Sequence, residues 1–571
     1  MGKQDSVAVA PPRDRRTING ADLVVEALLE VGAEKVFSII GLGMLGLGRA
    51  FYDRRDEIGY VGHLNETNLT MMAQGYARQT GKPTFCFVYH ASGTALSMMS
   101  MTTAWADNVP MVFVSTSSAR STIGRDQYAG IPRSPIEMSS QFTKWSHDIS
   151  AAERIPEILA RAWEIASTVP MGPVHISIPS DLYDVEVATH LARKSLKDTQ
   201  RFVETAPDNA GTAEVARLLA NAEYPVLLCG SEVGNLKVWK EMVALAEATG
   251  APVICEQDPS YLGFPTSHAQ YIGTPASNAD VLAEADLAIA VGYEFTEKGI
   301  PGEAPILPAS VKLVTVSSDP LLHGKQLRPD VALQGHLAKS LPLLAQEIQK
   351  VPATQKTMKA RAAVCHAKRE ARAAAIAEAD AMSRDLSPIP QKRVLRELCD
   401  KAEKDWIVVQ AGSTLGWHLE SMYEFDDPTN FHAVSGKASA QGWGAPAALG
   451  IQLGEPDRRV LAVLGDGNFM FSATCIWSAA QQDLPAIFVV NNNSGWVCVP
   501  DAIDAAYDRE TDGPGRDAMA WTWGEAEIDY VGFARSFGLE ARRVATSSEL
   551  GDALEEAKQS NRAWLIEVCG V

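Results

Sequence analysis

Short apolar runs recur along the chain, separated by Ala-rich segments whose hydrophobic positions return at helical spacing. "KVFSII", "IGYVGHL", "TFCFVYH", "PMVFVS" and "GPVHISI" fall within residues 17–188. "YPVLLCG", "APVICE", "DLAIAVG" and "VKLVTVSSD" fall within 212–350, and "DWIVVQAG", "RVLAVLGDG", "AIFVVNNN" and "AWLIEVCG" within 391–571. Alternating strand and helix signals indicate α/β units on parallel sheets. Three blocks of similar size predict three α/β domains, each a doubly wound parallel sheet. A polar stretch, "ATHLARKSLKDTQRFVETAPDNAG", separates the first two blocks. Residues 351–390 contain "QKTMKARAAVCHAKREARAAAIAEADAMSRD", read as a solvated linker helix that stops at the proline-containing "SPIP".

Composition narrows the function. The chain of 571 residues has room for about three or four domains at ~150 residues each. A formal net charge of −19 argues against a phosphate-backbone partner, which needs clustered Lys and Arg. No nucleic acid is expected. No run of about 18 apolar residues predicts a membrane span. The opening "MGKQDSVAVAPPRDRRT" lacks the apolar core of a secretory signal, and Gly2 with Ser6 matches the myristoylation pattern without polybasic support. The eight cysteines are scattered and form no C-x-x-C pair, as expected of a reducing cytoplasm and of a chain without a cysteine metal site. The expectation is a cytoplasmic protein that handles a small molecule.

Two stretches carry candidate chemistry. "GLGMLG", residues 41–46, has G-x-G-x-x-G spacing after an apolar run, and Glu66 follows twenty residues past Gly46. One reading is a dinucleotide-binding turn with its ribose-binding acid, hence an NAD-dependent dehydrogenase. The other is a close-packed strand-to-helix turn. The second stretch, "LGDGNFMFSATCIWSAAQQDLPAIFVVNNNSGW", closes one apolar strand on Gly465-Asp466-Gly467 and the next on Asn491-Asn492-Asn493. In a doubly wound sheet both ends open on the carboxyl edge, where ligands bind. Asp466 and Asn493, with a backbone carbonyl just beyond, form a hard oxygen set suited to Mg²⁺ or Ca²⁺ holding a diphosphate. Gly467 lets backbone N–H groups approach phosphate oxygens. Taken singly, "GDG" is an ordinary turn and "NNNSG" a polar loop. Together, each closing a strand, they argue for a site.

This second stretch resembles the signature of thiamine diphosphate enzymes. The three blocks resemble the pyrimidine-binding, central and diphosphate-binding domains of the 2-oxo acid decarboxylase and acetolactate synthase group. The resemblance implies Mg²⁺ held by Asp466, Asn493 and the Gly495 carbonyl, with Gly465, Gly467 and Asn468 around the diphosphate. Ser413 and Thr414 in "QAGSTLGW" resemble further diphosphate contacts, and a helix N-cap explains them equally well. Glu66 is reassigned. In "ETNLTMMAQGYAR" it stands nine residues before Gly75, like the glutamate that hydrogen-bonds the aminopyrimidine and drives ylide formation. The NAD reading leaves Asp466 and Asn493 unexplained.

Two histidines refine the resemblance. His90 in "TFCFVYHASG" and His268 in "FPTSHAQYIG" resemble the active-site pair of the benzoylformate decarboxylase branch. The implied reaction converts a 2-oxo acid to an aldehyde and CO₂ through an enamine, with histidine moving protons. The alternative is a carboligase or lyase acting on aldehydes, 2-hydroxyketones or diketones. Two departures bear on the substrate: Leu42 stands near the branch's carboxylate-holding serine, and Gln441 takes the place of the large apolar residue that bends the cofactor. An isosteric prop and a substrate contact are both open at Gln441. Trp496 and, more weakly, Tyr128 are candidates to line the pocket, with packing as the other reading. The sequence stops at "AWLIEVCGV", without the tail of acetolactate synthases, which leads us to expect an open pocket. The group builds its site between the first domain of one subunit and the third of another. A homo-oligomer is therefore expected, a dimer at least and by resemblance a tetramer.

Overall fold

A computed structural model of the chain describes residues 17–125, 134–188, 204–296, 305–351, 355–412, 415–416, 419, 422–438, 440–524 and 526–570. The chain divides into two compact units, the first comprising residues 1–73, 82–105 and 109–201, and the second 74–81, 106–108 and 202–571. The first holds one six-stranded parallel sheet, in the order Gly59–Val61, Lys35–Ser38, Thr84–Val88, Met111–Ser117, Pro173–Pro179, Trp145–Asp148. A short antiparallel pair, Thr17–Asn19 with Glu186–Ala188, ties together the two ends of this part of the chain.

The second unit holds two more six-stranded sheets with the same logic. The central one runs Tyr271–Gly273, Val253–Cys255, Pro225–Cys229, Leu287–Val291, Lys312–Ser317, Val331–Gln334. The last runs Phe431–Ala433, Ile407–Ala411, Val460–Gly465, Ile487–Asn492, Trp564–Cys569, Glu540–Val544. Strands inside each sheet are covered by helices on both faces, so they read as unbroken apolar runs rather than alternating ones. Thr84–Val88, Pro225–Cys229 and Leu287–Val291 are buried at every residue. The edge strands Trp145–Asp148 and Val331–Gln334 are only partly covered, which is why their sequences mix polar with apolar residues.

The helix Gln355–Ala381 departs from the expectation of a merely solvated linker. Arg361 is buried, and its guanidinium donates to the Thr249, Ala222 and Leu219 carbonyls. Those carbonyls end the helices Asn209–Asn221 and Trp239–Thr249, where the helix C-terminus carries partial negative charge. Arg372 donates to the Thr266 and Tyr423 carbonyls and so joins the central sheet's loops to the last domain. No helix among the described residues is long and apolar enough to cross a membrane.

Candidate active site

The strands Val460–Gly465 and Ile487–Asn492 are parallel neighbours, and Gly465 pairs with Asn491. Their register brings Asp466 and Asn493 to the same carboxyl edge, with Asp466 only 3% exposed. The Asn493 side-chain amide lies 3.1 Å from the Gly495 carbonyl oxygen and 3.3 Å from Asp466 Oδ1. In the absence of a cation, the amide nitrogen turned inward would donate to both. With the oxygen inward, three acceptors face one another and only a cation satisfies them. Neighbouring ligands of an octahedral Mg²⁺ at ~2.1 Å lie ~3.0 Å apart, so these spacings fit. The donor set is one carboxylate, one amide and one carbonyl. Among the described residues no group of three His, Cys, Asp or Glu side chains suits a metal.

The Asp466 carboxylate is fixed from several sides. Oδ1 accepts the Gly467 N–H at 2.8 Å, while Oδ2 accepts the Gly495 N–H at 3.1 Å and the Trp523 indole N–H at 3.1 Å. Burial raises its pKa above the ordinary value, and these donors pull it back. Trp523 reaches Asp466 because Trp521–Trp523 runs antiparallel to Ser494–Trp496. Trp496 N–H donates to Trp521 O at 2.7 Å and Trp523 N–H to Ser494 O at 2.8 Å. Trp496 packs edge-on against Trp523 and Phe471, and its ring fills the space a Cβ on Gly467 would need, 2.5 Å away. These contacts give Trp496 a packing role. The amide groups of Asn468 and Gln441 lie 2.8 Å apart, and Gln441 is exposed. Ser413, Thr414 and Tyr128 lie outside the described residues.

The first unit carries Glu66 and His90. Glu66 opens the helix Glu66–Thr80, whose N-cap is Asn65, with Oδ1 accepting the Thr67 N–H at 2.8 Å. A carboxylate at this terminus is favoured by the helix dipole. A Cβ on Gly93 would stand 3.2 Å from Glu66 Oε1, so that glycine lets the carboxylate lie against the helix His90–Leu96. His90, the first residue of that helix, has φ +46°. Such strain in a non-glycine residue costs about 1–3 kcal/mol and clusters at functional sites. Its Nδ1 is buried without a partner, and burial lowers its pKa. Its Nε2 is 2.7 Å from where a Cβ on Gly43 would be.

The glycines of "GLGMLG" make room for the protein's own side chains. Cβ atoms on Gly41, Gly43 and Gly46 would strike Tyr89, His90 and Asp184 respectively. The segment bends into the short turn Leu42–Met44 and the helix Leu45–Asp53, leaving Leu42 66% exposed. The close-packed reading of these glycines holds, and the dinucleotide reading loses its cradle.

His268 keeps company inside the central domain. Its ring packs edge-on against Phe264, Nδ1 accepts the Gln270 N–H at 3.2 Å, and Nε2 is 3.6 Å from Glu247. None of these contacts joins it to Asp466 or Gln441. Sequence reading missed His63, which is buried, accepts the Asn65 N–H on Nδ1 at 3.1 Å and leaves Nε2 unpartnered. Burial pushes its pKa down to about 4. It also missed Trp523, for which only the odd "AWTWGE" stretch gives a signal.

Three parallel sheets with an acceptor cluster at the carboxyl edge of the last are the architecture of a coenzyme-diphosphate enzyme. Family models agree. The thiamine pyrophosphate enzyme N-terminal TPP binding domain matches residues 18–138, the central domain 212–344 and the C-terminal TPP binding domain 410–568. The chain belongs to the thiamine pyrophosphate enzymes. It is 28% identical to a benzoylformate decarboxylase of Pseudomonas aeruginosa, over 97% of this chain and 98% of that one. It is 27% identical to the large subunit of acetolactate synthase isozyme 2 of Escherichia coli, over 96% and 95%. The fold is shared with a thiamine diphosphate-dependent 4-hydroxybenzoylformate decarboxylase of Rhodococcus jostii, with a TM-score of 0.82 at 23% identity, covering 96% of this chain and 99% of that one.

Proposed function

We propose that this protein is a Mg²⁺- and thiamine diphosphate-dependent 2-oxo acid decarboxylase, with benzoylformate the first substrate to test. What carries the decarboxylase reading is His90, a strained, buried histidine with an unpartnered nitrogen, on the helix against which Glu66 lies. When bound, thiamine diphosphate supplies the nucleophilic carbon and the electron sink that decarboxylation needs. Asp466, Asn493 and the Gly495 carbonyl would hold the cation, and the Gly467 and Asn468 segment would lie along the diphosphate. Glu66 would hold a proton at a pyrimidine ring nitrogen. His90 would give a proton to carbon and take one back from the product hydroxyl, ending each turnover in the protonation state in which it began.

Exposed apolar residues support an oligomer with a shared site. Leu42, Leu45, Leu64 and Leu96 are 48–66% exposed around Glu66 and His90, and Phe471 is 53% exposed beside the Asp466 edge. Such side chains call for a partner surface, and a second copy of this chain is the one we propose. Free cysteines throughout suit a cytoplasmic enzyme. Carboligation is the second reading, favoured by the acetolactate synthase relatives. Assaying CO₂ and aldehyde from aromatic and aliphatic 2-oxo acids, with and without an added acceptor aldehyde, separates the two. Aldehyde equal to CO₂ supports the decarboxylase; ligated product in the absence of free aldehyde overturns it.

A further inference from the structure

The two oxygens of Asp466 are treated differently. Oδ1 accepts one N–H, from Gly467 at 2.8 Å, and faces the Asn493 amide at 3.3 Å. Oδ2 is turned the other way and receives two N–H donors, Gly495 and the Trp523 indole, both at 3.1 Å. The indole donor is not part of the strand ends that form the cluster. It is delivered by the separate segment Trp521–Trp523, locked onto Ser494–Trp496 by backbone hydrogen bonds at 2.7 and 2.8 Å. The Trp523 ring is in turn braced edge-on by Trp496 at 5.5 Å.

Resting on the cofactor reading above, we propose that Trp523 is a positioning residue that sets the cation selectivity of this centre. Together with the Gly495 N–H, the indole occupies Oδ2 and confines Asp466 to one-oxygen coordination through Oδ1. Mg²⁺ requires a compact octahedron at ~2.1 Å and accepts single carboxylate oxygens; Ca²⁺ is larger, takes six to eight ligands at ~2.4 Å and readily uses both. A carboxylate tied down by the indole therefore favours Mg²⁺. Without the indole, Oδ2 keeps only the Gly495 N–H, and a carboxylate oxygen held by one donor would be open to Ca²⁺ at least as well.

The test is calorimetric titration of Mg²⁺ and of Ca²⁺ into metal-free protein saturated with thiamine diphosphate, for wild type and Trp523→Phe. Phenylalanine keeps an aromatic ring beside Trp496 and removes the N–H donor together with the five-membered ring that carries it. Partners that orient a metal ligand are worth about ten-fold or more in metal affinity. Mg²⁺ affinity should fall about ten-fold while Ca²⁺ affinity stays within about three-fold, so that the selectivity ratio drops. Equal weakening of both ions would mean that the indole merely props the loop, and would overturn the proposal, as would no change in either. Wild-type protein that takes up neither ion would overturn the cofactor reading as well, which separates the two failures. Should the variant not fold, the indole N–H resonance of Trp523 in ¹⁵N-labelled wild type gives a second reading. It should shift when Mg²⁺ is added, and a resonance indifferent to Mg²⁺ would refute the assignment.

Discussion

Arg78, the arginine of the "GYAR" element, is fully buried within the second unit, as is its partner Asp107. Its Nη2 donates to Asp107 Oδ2 at 2.5 Å, and its Nη1 to the Ala433 and Ser260 carbonyls at 2.6 and 3.3 Å. The guanidinium lies over the rings of Trp443 and Tyr261, 4.4 and 4.7 Å from their centres. Replacing Arg78 with Met removes the cation and leaves Asp107 buried, with the Ser435 N–H at 3.4 Å as a remaining donor. Breaking a buried pair from one side costs about 3–5 kcal/mol, mostly the penalty of the orphaned charge. We therefore expect Arg78→Met to destabilise the protein by about 4 kcal/mol in urea unfolding followed by circular dichroism. The double variant Arg78→Met/Asp107→Leu should recover about half of that loss, because the orphaned carboxylate has gone. A single-variant cost below ~1 kcal/mol, typical of an exposed pair, or a double variant no more stable than the single, would refute the reasoning. Gly75, three residues earlier and on the same helix face, belongs to the same device. A Cβ there would fall 2.1 Å from the Ala447 carbonyl oxygen.

Other expectations follow from the same geometry. His90→Ala should lower kcat for decarboxylation by about 10²–10⁴-fold, with the thermal midpoint little changed, and the acid limb of the wild-type kcat/KM profile should lie below pH ~6.5. Burial pushes the pKa of both His175 and His432 down to about 3. The unfolded chain therefore binds protons that the folded chain refuses, and stability falls as pH drops below ~6.5. Each histidine should cost about 2 kcal/mol by pH 5, measurable as a falling urea midpoint between pH 7 and 5; a flat profile would count against buried neutral imidazoles. Gly467→Ala should weaken Mg²⁺ binding through displacement of Trp496 and the adjoining Gly495 carbonyl; unchanged calorimetric affinity would show that the ring has room to move.

Much of this was legible in the sequence, and for a physical reason. Interior strands of helix-covered sheets must be apolar along their whole length, so runs such as "TFCFV" and "PVLLC" announce themselves. Asp466 and Asn493 were legible because each follows directly on such a run, and parallel register carries both to one edge. The glycines of "GLGMLG" were ambiguous, since a cradle for phosphate and a seat for Tyr89 and His90 demand the same absent Cβ. Trp523 was hidden because its partner lies 57 residues away and a single antiparallel bridge has no periodicity. Arg361 was read as part of a wet face, because helical charge patterns do not reveal that a guanidinium is aimed at carbonyls of other helices.

The most direct measurement is the release of CO₂ from benzoylformate by protein stripped of cofactor, then supplied with thiamine diphosphate and Mg²⁺, alongside Glu66→Gln treated identically. Wild type should be inert when stripped and active when reconstituted, indifferent to NAD. The variant should bind both cofactors and turn over at least 10²-fold more slowly. Turnover without thiamine diphosphate, or a Glu66→Gln variant as fast as wild type, would contradict the assignment of this centre.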